Sequence, residues 1–387
     1  MQTLSLLKSV SACIGRVIAT TMTMTMTMNM GAGSWSRGAA GLVLATAGLG
    51  LSTTTCMGWD AEGHRLVNQI GLTSLPTNFP AFVLTAEARE RIGFLGGEAD
   101  RWRNSPDSPL RHVNAPDHFL DIEDLEPLGL SLDKLPPYRF DYVGQIAVAR
   151  HLHPDKFPPI DETKDQDHTR HLPGFLPWAI TEQFGKLKSG FSYWKAYQEG
   201  GTPEEIRNAE QNIIYVMGVM GHFVADAAQP LHTTKHYNGW VGENPKEYST
   251  NRTFHSWIDG GYFRKLGLPT EALLVKVKPA KVIPKAAGQA NINIPAAFPE
   301  ALRFLGEQFK TMELTYQMEK EGKFSGNGEK GKEGMGFLSE QMLKSGQFLG
   351  DLWLTAWQQS PPDNFLKSQL ARRQRVAGTT GKAAESE

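Results

Sequence analysis

Cysteine is scarce in this 387-residue sequence: there are two, Cys13 and Cys56, both near the start. Beyond residue 58 there is none, which excludes a disulfide framework from the rest of the chain. Charge of either sign is also nearly absent in sum, with a formal net charge of -1. The first 58 residues hold Lys8, Arg16 and Arg37 and no acidic group, so taking these three positive charges from -1 leaves -4 beyond them. A weakly acidic chain offers no general surface for polyanions, so any action on nucleic acid needs a local site to supply positive charge. No run alternates like a strand, and outside the "TMTMTMTMNM" tract there are no internal repeats.

What is present fits a soluble globular protein. Hydrophobic residues make up 40% and charged residues 21%, enough apolar material for a core. The first 58 residues read as an export leader. Arg37 precedes "GAAGLVLATAGLGL", an apolar stretch too short to cross a bilayer. Cys56 and Gly58 then occupy the minus-three and minus-one positions of a cut before Trp59. A translation start at Met30 would leave a signal of ordinary length, and a retained anchor is the alternative. The expected location is secreted or periplasmic, with no stable membrane association.

The remainder reads as helix. "TPEEIRNAEQNIIYVMGVMGHFVADAA" opens on Thr202, an N-cap, with Glu205 three residues on, which is a capping box. Apolar residues follow at three- and four-residue spacing, and Pro230 stops the run. "TAEARERIGFLGGEADRW", "PWAITEQFGKLKSGFSYWKAYQ", "FHSWIDGGYFRKL", "PEALRFLGEQFKTMELTYQMEK" and "GFLSEQMLKSGQFLGDLWLTAWQQ" share the pattern. The expectation is an all-α, single-domain multi-helix bundle over residues 59–360. Residues 123–175 and 233–253 are expected to be long loop insertions, and residues 361–387 a disordered tail.

Histidine and aspartate recur at ligand spacing. "GHFVADAAQPLH" puts His222 and Asp226 four apart on one helix face, with His232 on the exit turn. "FHSWID" repeats the device with His255 and Asp259. Zinc takes imidazole nitrogen and carboxylate oxygen at about 2.0–2.2 Å, and a four-residue helical spacing aims two such ligands at one point. One such pair is ordinarily a surface pair or a cap; two of them, with the adjoining "QPLH", point to metal. Upstream stand Asp100 and Arg103 in "EADRWR", and His118, Phe119 and Asp121 in "DHFLDI". Taken alone these read as a helix-end carboxylate, a surface arginine, a half-buried histidine, a core aromatic and a cap, and sequence does not place them beside His222. His112 competes with His118. His151, His153, His168 and His171 in the insert read as solvated loop or an extra surface metal site. Finally, "GWDAEGH" sets Trp59, at the expected cut, five residues before His64.

In this order the pieces resemble the S-one/P-one family of zinc-dependent single-strand nucleases, relatives of the zinc phospholipases C. The resemblance spans residues 59 to 259. It implies three Zn2+ ions in a cluster at the bottom of a cleft. One would be held by Asp100, His118, His222 and Asp226. A second would use the Trp59 amine and carbonyl, His64 and Asp226, which bridges the two. The third would use His232, His255 and Asp259. The implied activity is hydrolysis of single-stranded DNA and RNA to 5′-nucleotides by a monomer, with 3′-nucleotidase activity alongside. Asp100 and Arg103 would be catalytic, Phe119 would stack on a base, and Asp121 would hydrogen-bond its edge. The five-residue Trp-to-His spacing, Asp259 and "HFLD" resemble the nuclease branch. A phospholipase C acting on lipid head groups, and a non-catalytic zinc-binding extracellular protein, are the competing readings.

Overall fold

The computed structural model describes residues 59–284 and 296–384; the expected leader lies outside them. Its helices are α1 (Ala61–Ser74), α2 (Ala86–Leu95), α3 (Glu98–Arg103), α4 (Ser108–Asn114), α5 (Arg139–Leu152), α6 (Leu176–Gly200), α7 (Pro203–Ala227), α8 (Phe254–Ser256), α9 (Tyr262–Leu266), α10 (Thr270–Leu274), α11 (Ala297–Lys320), α12 (Gly334–Gln359) and α13 (Asn364–Ala384). Among the described residues there is no strand, so the chain is all-α. None of these helices is long and apolar enough to cross a membrane.

The centre is α7. It starts as its sequence requires, with Thr202 accepting from the Glu205 N–H (3.2 Å) and Glu205 accepting from the Thr202 N–H (2.8 Å). Past its midpoint it is enclosed: every residue from 217 to 230 is buried. A helix buried all round must be apolar or carry satisfied polar groups. Here Met217, Val219, Met220, Phe223 and Val224 meet the first condition, and His222 and Asp226 raise the second. The apolar faces of α6, α12 and α2 close around it, each fully buried Leu, Ile or Phe contributing about 1.5–3 kcal/mol. Glycine lets the neighbours come close. A Cβ at Gly218 would stand 2.5 Å from Leu95 Cβ on α2, and one at Gly221 would stand 1.7 Å from Asn68 Oδ1 on α1. Asn68 in turn ties three helices, donating to the carbonyls of Ile92 (2.8 Å) and Gly218 (3.2 Å).

Three expectations need correction. "TAEARERIGFLGGEADRW" is two helices, because Gly96 and Gly97, each unfavourable in a helix interior by about 1 kcal/mol, separate α2 from α3. The insert is not only loop. Its α5 buries Tyr142, Ile146 and Ala149 at helical spacing within the proline-rich frame. The tail expected to be disordered forms α13 from Asn364. Its polar composition hid two anchors on the α6–α7 corner: Leu370 is buried, and Arg373 pairs with Glu205 at 2.7 Å.

Candidate metal centre

Eight side chains marked by the sequence meet inside the bundle. They form three groups, each with ligand atoms within 4.8 Å of one another: His64, His222 and Asp226; Asp100, His118 and His222; His232, His255 and Asp259. All eight are buried. Four come from helix interiors: His64 from α1, Asp100 from α3, and His222 and Asp226 from α7. The rest sit on short turns: His118 ends the 3-10 turn Ala115–His118, His232 lies on Pro230–Thr233, His255 on α8, and Asp259 on a π-helical turn, Trp257–Gly261.

The helical spacing works as read. Asp226 Oδ2 lies 3.3 Å from His222 Nε2, and Asp259 Oδ2 lies 3.0 Å from His255 Nε2. The other oxygen of Asp226 lies 3.7 Å from His64 Nε2 and 3.8 Å from His232 Nδ1. Asp226 thus stands among three imidazoles. Asp100 Oδ1 stands 3.9 Å from His118 Nε2 and 4.0 Å from His222 Nε2.

Backbone carbonyls fix the rings. Nδ1 of His222 donates to the Gly96 carbonyl (2.7 Å), Nδ1 of His118 to the Asn114 carbonyl (2.8 Å), and Nδ1 of His232 to the His118 carbonyl (2.5 Å). Each bond leaves Nε2 as the lone-pair nitrogen, the arrangement metal-ligating histidines ordinarily have. Gln229, which the sequence reading passed over, does the same for a carboxylate, its amide donating to Asp259 Oδ1.

Whether metal fits is decided by what remains. The Nε2 atoms of His64, His118, His222 and His232, both oxygens of Asp226 and Oδ2 of Asp259 are buried and make no hydrogen bond. Folded proteins pair about 90% or more of such groups, so a knot of unpaired acceptors at one place is the kind of site that bound cations would compensate. Electrostatics agree. Burial, then the neighbouring His222, lowers the His64 pKa, and burial, then Arg103, lowers that of His118. His232 is lowered chiefly by burial, and burial brings His255 to about 3. For His222 burial also acts downward, but the carboxylates of Asp226 and Asp100 outweigh it. Neutral imidazoles are what a metal requires, a condition the downward shifts of His64, His118, His232 and His255 favour and the upward shift of His222 does not. These three buried groups could hold metal ions.

Trp59 is wholly buried, its indole N–H donating to the Ala225 carbonyl (3.0 Å), one residue before Asp226. Arg103 is nearly buried, its Nε 3.0 Å from Asp100 Oδ1, and its charge is felt by His118, His255, His64 and His232. Phe119 is half-buried and Asp121 buried. Asp121 is not a side-chain cap; its Oδ1 makes no hydrogen bond, and burial raises its pKa well above the usual range. Neither residue belongs to the three groups. His112 is exposed, bound to the Asp167 carbonyl (2.7 Å), and His151, His153 and His168 are exposed, so His118 is the member of the centre. No family model matches the chain, and no curated protein matches it significantly.

Proposed function

We propose that the protein is an exported, zinc-dependent phosphodiesterase that cleaves single-stranded DNA and RNA to 5′-phosphates, active once its chain begins at Trp59. The observation that carries this reading is the convergence of eight residues, scattered from 64 to 259, into three buried groups, two of which share His222.

Asp100, His118, His222 and Asp226 would hold one ion. His64, Asp226 and the amine and carbonyl of Trp59 would hold a second, and His232, His255 and Asp259 a third. Divalent ions in such a site supply Lewis acidity toward phosphoryl oxygens and lower the pKa of bound water. The chain's own residues do the rest. The Arg103 guanidinium, paired with Asp100, would donate to the phosphate oxygens as negative charge grows on phosphorus. Phe119 offers a face on which any unpaired base can stack, worth about 1–3 kcal/mol. Asp121, its buried carboxyl shifted toward the protonated form, can hydrogen-bond a base edge.

The test is direct. The chain beginning at Trp59, supplied with Zn2+, is assayed on a single-stranded oligonucleotide and on phosphatidylcholine vesicles. Oligonucleotide cleavage to 5′-phosphate ends is expected. Turnover of the lipid alone would make it a phospholipase, and bound zinc without turnover of either a non-catalytic zinc protein.

A further inference from the structure

Asp60 uses its backbone and both carboxylate oxygens. Its N–H donates to the Asp259 carbonyl (3.1 Å), and its own carbonyl accepts from the His64 N–H (3.0 Å). Oδ1 accepts from the Gly63 N–H (3.2 Å) and caps α1, while Oδ2 accepts from Arg264 Nη1 (2.9 Å). Capping needs only the first oxygen, and a serine would supply it. The N–H bond ties the start of α1 to the turn that carries Asp259, and Oδ2 ties it to α9, the helix that follows that turn. That contact falls on the π-helical turn, where the regular helical ladder is interrupted, a frequent sign of a functional position. Gly260 makes the approach possible. A Cβ there would stand 2.6 Å from Asp60 Oδ2 and 2.5 Å from Arg264 Nη1.

Stability is a poor explanation for this arrangement. The Arg264 side chain is 68% exposed, and pairs this open contribute about 1 kcal/mol or less. Its position is more telling. Trp59 precedes Asp60, His64 lies one turn along α1, and Asp259 is the residue whose carbonyl Asp60 grips. We infer that Asp60 and Arg264 form a latch that keeps residue 59 and the Asp259 turn in register, coupling metal retention in the first group to that in the third. Asp60 is thus a positioning residue, acting through Trp59, His64 and Asp259. The inference rests on the metal-centre reading.

The experiment uses the chain beginning at Trp59, loaded with Zn2+, as Asp60→Asn, Arg264→Ala and a control, Arg303→Ala. The control removes a pair of similar exposure on α11, Arg303–Glu300. Asparagine keeps the cap. The readouts are the rate at which a chromogenic chelator strips zinc from the folded protein and, separately, the thermal midpoint of the metal-free form. Both latch variants should release zinc about tenfold faster than wild type, the usual cost of losing a residue that supports metal ligands, with little change in midpoint. The control should behave as wild type. Release at the wild-type rate, or faster release only in proportion to a fall in midpoint, would overturn the latch. A wild-type chain that binds no zinc would overturn the metal centre and the latch together.

Discussion

The rings of His64 and His222 stack 3.9 Å apart and 18° from parallel, both wholly buried. The stack exists because α1 lies against α7 at Gly221, where nothing larger than hydrogen fits beneath Asn68 Oδ1. Gly221→Ala should therefore push the helices apart. We expect a loss of about 1–3 kcal/mol in urea unfolding, typical of overpacking, together with loss of bound metal. Retained stoichiometry would mean that α1 can move without disturbing the centre.

Asp226 and Asp259 make different demands. Asp226 faces His64, His222 and His232, whereas Asp259 faces His255 alone among the histidines at ion-pair distance. Elemental analysis should show Asp226→Asn losing two ions per chain and Asp259→Asn losing one. Equal losses would contradict the bridging role of Asp226.

Arg103 holds no metal, so Arg103→Ala should leave the metal content unchanged. If it stabilises the transition state, kcat should fall by about 10²–10³-fold with KM little altered. A variant with wild-type kcat would remove Arg103 from the chemistry.

Much of this site could be read from the sequence, for a definable reason. His222 with Asp226, and His255 with Asp259, announce themselves because a helix turns spacing into direction. The capping box at Thr202 and Glu205 was equally legible, being local. That Asp100 and His118 reach the same place depends on where α3 and the Ala115–His118 turn pack, which no local pattern encodes. The supports were less legible still. The carbonyls of Gly96, Asn114 and His118 orient three rings, and carbonyls have no sequence signature. α13 was missed because its docking depends on Leu370 and on Arg373 meeting Glu205, a partner far away in the chain.

Removing metal should cost stability, since it leaves buried acceptors unpaired. Ligand at a thousand times its Kd contributes about 4 kcal/mol. At roughly 2–4 °C per kcal/mol for a large domain, chelation should lower the thermal midpoint by about 10 °C, and zinc should restore it. A midpoint indifferent to chelator would argue against a structural metal load.

The central claim is that these residues cage three ions, and anomalous X-ray scattering at the zinc edge tests it most directly. Crystals of the chain beginning at Trp59, grown with Zn2+, should give three peaks: two flanking Asp226, and one among His232, His255 and Asp259. Maps without anomalous density between these side chains, from protein shown to be folded, would contradict it.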